Sequence, residues 1–393
     1  LNNTSCDILV VGAGIAGISA AVTAAEKGCH TILLEKNTHF GGIIRNAFLN
    51  EICGLFYADK TQSPILLNDG FSRKIYKTLT NAETSPLRQK GKVFVLPFSR
   101  EKLFTYIDYL LRLHTLLDFR HNHEMISLNR NSTLINNIVV KNNLNSESYT
   151  IKPKIIIDCS GSGLCFKRRR TKRDDSDYKQ LAGVTIVLKC SVRCDTLLAV
   201  KIPYFLNVAV NEGRFLDYVK YTTVSQGENK DELNIKVNID SKTISFSEIS
   251  DILVKIHSYL QEKIESLKDS TIKMISPKIC HREENRLKGK YTITESDIIS
   301  GRKFYDGCVK GAWPIEYWDP YKGLSSQYLN PEEYYEIPIR SMQAADITNL
   351  YAAGRCISAT PKALASTRVT GTCMSLGEQA ALNAVREITN NTS

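Results

Sequence analysis

The chain has 393 residues, 42% of them hydrophobic and 23% charged, with a formal net charge of +10; that is enough for two domains, or one large domain with an insertion, and too apolar for long disorder. No apolar run approaches the roughly 20 residues that cross a bilayer, and LNNTSC at the start lacks the basic-then-apolar pattern of a secretion signal, so a cytoplasmic protein without a membrane partner is expected. Eleven cysteines without a CxxC pair argue against both a disulfide framework and a zinc site, while the positive charge favours anionic partners.

Residues 6–11 are a continuous apolar run, the pattern of a parallel strand buried on both faces. The run stops in DILVVGAGIAGI at Gly12, with Gly14 and Gly17 close behind. Residues 15–27 are small and helix-permissive, Gly28 is placed to end that helix, and TILLEK reads as a second strand closing on Glu35 and Lys36. In such a βαβ unit Gly12 permits a tight turn, Gly14 lets backbone approach a pyrophosphate, and Gly17 lets helix and strand pack closely. The helix start, with Ala16 in its first turn, offers free N–H groups to phosphates. Glu35 can accept hydrogen bonds from both ribose hydroxyls and disfavours a 2′-phosphate.

From 40 to 100 the chain is irregular and punctuated by glycine, and the doublet Gly41-Gly42 is followed by Arg45 and Cys53 in a segment read as a wall of the cofactor site. Residues 101–117 read as an amphipathic helix, HEMISL and LINNIVV as short strands, and IIIDCSG as a buried strand ending at Gly161. The basic run Lys167–Arg173 abuts DDSD, which reads first as a solvated loop and second as a neighbour of an anionic substrate; nucleic acid is the least favoured partner. A β-rich stretch over 184–280 contains one helix, SEISDILVKIHSYLQEKIESLK, with apolar spacing near 3.6. NLYAAG, 349–354, is the last strand and 372–388 the last helix. The expected architecture is α/β: a Rossmann-like cofactor domain from 1–183 and 281–393, with 184–280 inserted as an α+β substrate domain.

Four segments together resemble a known family. The GxGxxG turn, the Gly41-Gly42 doublet, IIIDCSGSG, and NLYAAGRCISATPKALASTRVTGTCMSLGEQAALNA are similar to elements of FAD-dependent oxidoreductases of the glutathione-reductase structural class, and they occur in that family's order. The resemblance implies FAD as cofactor, a glutathione-reductase type of fold, and contacts to flavin from Gly354, Arg355, Gly371 and Thr372. A helix starting after Thr370-Gly371-Thr372 would aim its positive end at the flavin and stabilise its reduced, anionic form. With a single GxGxxG no separate NAD(P)H domain is read, so oxygen, a protein carrier and a transiently docking NAD(P) all stay open as electron partner.

HREENRLKGKYTITESDI, 281–298, also resembles a family segment. If helical, it puts Arg282 and Arg286 on one side to clamp a carboxylate, with His281 as proton carrier; surface ion pairing is the plainer reading. Arg368, before the last helix, is read as a binder of substrate or flavin. Cys53 is read as a buried thiol, and the tryptophans of GAWPIEYWDP as core or as a wall beside the substrate. The expected activity is hydride transfer from an anionic small molecule to flavin N5. The alternatives are a flavin-dependent monooxygenase or halogenase, a flavin-free binding module of the same fold, and an RNA-modifying flavoenzyme.

Overall fold

The structure, a computed structural model, describes residues 3–57, 65–80, 87–166, 180–191, 194–242, 244–330 and 333–392. The basic run Lys167–Arg173 lies outside the described residues. Five parallel strands form the centre, in the order Leu117–His121, Thr31–Glu35, Asn3–Val11, Ser148–Asp158 and Leu350–Ala352. Ile8, Leu9 and Val10 are fully buried between two layers, which is why this strand is apolar without alternation. Ser148–Asp158 serves two neighbours on one edge. Its first half pairs antiparallel with Ile135–Asn142, which in turn pairs with His123–Arg130, while its last residues pair with Leu350–Ala352.

Helix Ile15–Glu26 is buried from Ile15 to Ala25 because it is covered by the sheet on one side and by the closing helix, Thr370–Thr392, on the other. Small residues make that double packing possible. Ser19 Oγ donates to the carbonyl of Met374 at 2.7 Å, and a Cβ on Gly377 would lie 1.9 Å from the carbonyl oxygen of Ala16. The closing helix starts at Thr370, slightly earlier than expected, and a short helix, Pro361–Thr367, precedes it.

The second sheet is antiparallel, in the order Thr223–Gln226, Glu232–Ile239, Ala182–Lys189, Thr271–Ile275. One face, with Val184, Ile186, Ile235 and Val237, packs on two helices, Leu198–Asn211 and Phe246–Lys263. Only the second was expected. Pro203 lies inside the first, where proline costs a hydrogen bond, and the burial of Leu198, Ile202, Leu206 and Ala209 outweighs that local penalty. Among the described residues no helix is long and apolar enough to cross a membrane.

The insertion is tied to the cofactor half by a forked ion pair. Arg100 donates from Nε at 2.9 Å and from Nη2 at 3.0 Å to Glu228, whose carboxylate also accepts the Arg100 backbone N–H at 3.0 Å. Arg100 holds the Glu228 carboxyl below its ordinary value, a stabilisation present above that ordinary value and lost as pH falls through the lowered one. Arg100→Ala is therefore expected to cost about 0.5–1 kcal/mol near neutrality, the pair being partly solvent-screened. Urea midpoints should show that difference closing in acid.

Candidate active site

Between the two sheets lies one cleft of about 870 Å³. Its cofactor end is built on the glycine turn. Gly12 holds a positive φ of 99°, and a Cβ there would strike the Cys159 carbonyl at 2.8 Å; Gly14 has nothing within 4 Å of a Cβ and leaves an open cradle at the cleft wall. The first bond of the helix runs from Ile18 N–H to the Gly14 carbonyl, so the amides before it are unused within the helix. Glu35 is buried beside them. Its Oε2 accepts Ala13 N–H at 3.0 Å, and its Oε1 accepts both Asn37 N–H at 3.0 Å and the Asn37 side-chain amide, leaving a lone pair on Oε2 for a ribose. His123, Glu124 and Met125 add a wall that sequence reasoning took only as a strand.

Asp158 holds the next loop in place. Fully buried, it accepts Ser160 N–H at 2.9 Å and Cys165 N–H at 2.8 Å, and desolvation pushes its pKa up. Gly161, Gly354 and Arg355 line the cleft together. Arg355 is used as a clamp: Nε donates to the Gly161 carbonyl at 2.8 Å, Nη2 to Glu284 at 2.8 Å, and Nη1 to the His281 carbonyl. Val369, Thr370 and Cys373 bring the start of the closing helix to the same wall.

Of the expected cofactor residues, Gly12, Gly14, Ala16, Glu35, Lys36, Gly42, Gly161, Gly354 and Arg355 line the cleft, and five others do not. Gly17 is packed against the Gly12 carbonyl, where a Cβ would lie at 1.9 Å. Gly41 spends its N–H on the Ala13 carbonyl at 2.8 Å, beneath the Phe104 ring. Arg45 is turned away from the cleft, donating to the Phe40 carbonyl at 2.8 Å with its guanidinium 4.2 Å from the Phe104 ring centroid. Gly371 meets the Cys53 carbonyl and Thr372 is fully buried, so only the helix start they belong to reaches the cleft. Cys53 lines the wall with its thiol pushed up to about 12 by burial, which makes it a poor nucleophile at neutral pH.

At the other end the expected arginines part company. Residues 281–294 follow an irregular path, not the helix that spacing invited, and Arg286 pairs with Glu283 at 3.0 Å outside the cleft. Arg282 stays inside. Its Nη2 donates to Asn238 Oδ1 at 2.7 Å, its Nη1 to the Leu181 carbonyl, and its guanidinium lies 4.3 Å from the Trp318 ring centroid. Arg368 donates from Nη2 to Gln180 Oε1 at 3.0 Å and to the Glu316 carbonyl at 3.3 Å. His281 lines the cleft with Nδ1 3.3 Å from Ser241 Oγ. Trp313 belongs to a small core with Val93 and Val95, whereas Trp318 is a cleft wall.

Lys236, which sequence reasoning missed, completes the group. Burial first, then Arg282 and Arg368, pull its pKa to about 7, while burial and the adjacent Arg368 pull Arg282 well below the ordinary value and burial pulls Arg368 to about 10. Glu316, held by Trp313 Nε1–H at 2.9 Å, is the carboxylate on this wall. Arg282 and Arg368, joined by Lys236 when it is protonated, face Glu316, while buried Glu283 acts on Arg368 but is paired with Arg286; this wall keeps an excess of positive charge, which an anion would offset.

The family model described as FAD dependent oxidoreductase matches residues 7–168 and 192–393. A 4-oxocyclohex-2-ene-1-carboxylate 5-dehydrogenase from Sinomonas cyclohexanicum is 53% identical over 38 residues, which is 10% of this chain and only 6% of that enzyme. Among solved structures, a geranylgeranyl bacteriochlorophyll reductase-like protein from Thermoplasma acidophilum shares 13% identity with a TM-score of 0.50, over 99% of this chain and 80% of that one. The p-nitrophenol 4-monooxygenase PnpA from Pseudomonas putida shares 10% identity with a TM-score of 0.45, over 100% of this chain and 82% of that one. At such identities the structural likeness is one of fold.

Proposed function

The chain belongs to the FAD dependent oxidoreductase family, and from that premise we propose that it carries out two-electron chemistry on a small organic anion seated against Lys236, Arg282 and Arg368. The observation that carries this reading is a group of three basic side chains, Arg282 buried and Lys236 and Arg368 half-buried, on the wall of the same cleft that holds Glu35 and Gly14.

The residues present fit FAD. Glu35 would hold the adenosine ribose, the open cradle at Gly14 and the amides after it the pyrophosphate, and the start of the closing helix the flavin ring; this arrangement supports a glutathione-reductase type of site. FAD, when bound, supplies a two-electron acceptor at flavin N5. Arg282 and Arg368, each fixed by a neutral oxygen partner, would orient the carboxylate of the substrate. Lys236, titrating near pH 7, can take up or release the accompanying proton, and His281 is the second candidate for that task. Trp318, with the Arg282 guanidinium over it, walls this end of the cleft.

Anaerobic titration of the FAD-loaded protein tests the proposal. Organic anions are expected to bleach the flavin absorption where their neutral esters or amides do not, and equal bleaching by both would overturn it. Oxygenation or halogenation of the anion, chemistry that a reduced flavin in the same cleft could also serve, is the second reading. In that case the anion leaves the flavin oxidised under nitrogen, and turnover consumes a nicotinamide together with oxygen.

Glu35 is open to an independent check. Glu35→Gln removes the charge from its hydrogen bonds to Ala13 N–H and the ribose, so FAD is expected to bind about 10- to 100-fold more weakly, read as flavin fluorescence released on dilution.

A further inference from the structure

The antiparallel sheet turns a row of polar side chains to the cleft. Because side chains alternate along a strand, Val184, Ile186, Ile235 and Val237 go to the helices, and the residues between them go the other way. The register puts Thr185 opposite Lys236, Ser225 opposite Asn234, and Thr223 on the far side of Lys236. All five line the cleft. Gly183 lies in the same row, and a Cβ there would stand 2.9 Å from Lys236 Cε, so this glycine gives the lysine chain room to lie across the sheet.

A steroid, an isoprenoid or a plain aromatic ring seated here would cover this row of hydroxyls and the Asn234 amide, whose Nδ2 donates to the Phe48 carbonyl at 3.4 Å, without offering it new hydrogen bonds, at a cost for each group so desolvated. Building on the anion reading above, we infer that the substrate is a small carboxylate that also carries hydroxyl or amino groups, of the hydroxy-acid or sugar-acid kind. The carboxylate would meet Arg282, Arg368 and Lys236, and the hydroxyls or amines the row of Thr185, Ser225 and Asn234. Apolar side chains, Trp318, Phe48, Phe246 and Val369 among them, line other parts of the cleft, so the polar row is what would select for hydroxyl or amino groups.

The experiment uses FAD-loaded protein and follows perturbation of the flavin spectrum under nitrogen, a binding readout that does not depend on which reaction follows. Lactate, malate, glycerate and gluconate are compared with propionate, succinate and hexanoate, and with the neutral polyols glycerol and glucitol. The expected result is affinity for at least one hydroxylated acid about tenfold or more above that for its deoxy counterpart. Thr185→Val and Ser225→Ala should narrow that ratio while leaving the affinity for deoxy acids within about twofold. Retained flavin and an unchanged melting temperature show that each variant is folded. Equal affinity for hydroxylated and deoxy acids, or a ratio that neither variant moves, overturns the inference and leaves the anion reading standing. Neutral polyols that bind as well as the acids overturn the anion reading itself.

Discussion

Gly377→Ala is expected to lower stability by about 3 kcal/mol or more and to release FAD, although alanine is ordinarily the better helix former by about 1 kcal/mol. The reversal of sign follows from what the new methyl would meet. Its Cβ would lie 1.9 Å from the carbonyl oxygen of Ala16, 2.8 Å from that residue's carbonyl carbon and 3.1 Å from its Cα, all backbone atoms of a helix buried on every side. No rotamer relieves such a clash, so the closing helix or helix Ile15–Glu26 has to move. Ala16 lines the cleft within two residues of the Gly14 cradle, and the start of the closing helix forms another part of the same wall. On the placement of FAD proposed above, displacement of either helix therefore loosens the seat of the pyrophosphate and that of the flavin together. Differential scanning with and without added FAD reads both effects; a variant that melts with the wild type and stays yellow through a desalting column would show that this contact does not govern the site. Gly17→Ala, which drives a methyl into the Gly12 carbonyl at the same 1.9 Å, should match it in stability loss.

Which parts of this arrangement can be read from residue order follows from how local their causes are. Burial on both faces forces an unbroken apolar run, so ILVV, TILL and IIID declare themselves as parallel strands. The phosphate turn is equally legible, because its glycines answer to contacts within a few residues. Ser148–Asp158 extends well before the visible IIID, since its first half lies beside an antiparallel meander and alternates, with Pro153 in the middle reading as a break. Pro203 concealed a helix in the same way. Arg286 and Arg282 differ in fate because Arg355 draws the chain at His281 and Glu284 off a helical path, through contacts 74 and 71 residues distant in sequence. Lys236 was the hardest to see. In NIKVNI the polar alternate face has the pattern of a strand facing solvent, and only the docking of this sheet over the cleft turns that face into the wall of a binding site.

Lys236→Met is expected to lower kcat/KM for the anionic substrate by about 100-fold or more below neutral pH, the usual scale for removing one member of a buried, desolvated charge pair. The pH dependence separates this from a packing defect. Burial, with Arg282 and Arg368 alongside, brings the lysine from 10.5 to about 7, so the wild type holds the full cation below that value and loses it above. Affinity for the anion should fall as pH rises through about 7, and binding above that pH should draw a proton from solution, because the bound anion favours the ammonium. Calorimetry in buffers of different ionisation enthalpy measures that uptake directly. Lys236→Met should show neither the falling limb nor the proton uptake, and Lys236→Arg should keep affinity while flattening the profile. Stability carries the opposite sign: between about 7 and the ordinary lysine value the unfolded chain binds the extra proton, so raising pH through that window stabilises the wild type relative to Lys236→Met. An anion affinity that stays constant from pH 6 to pH 9 in the wild type, with no proton taken up, would remove Lys236 from the binding site and leave the arginines to account for it alone.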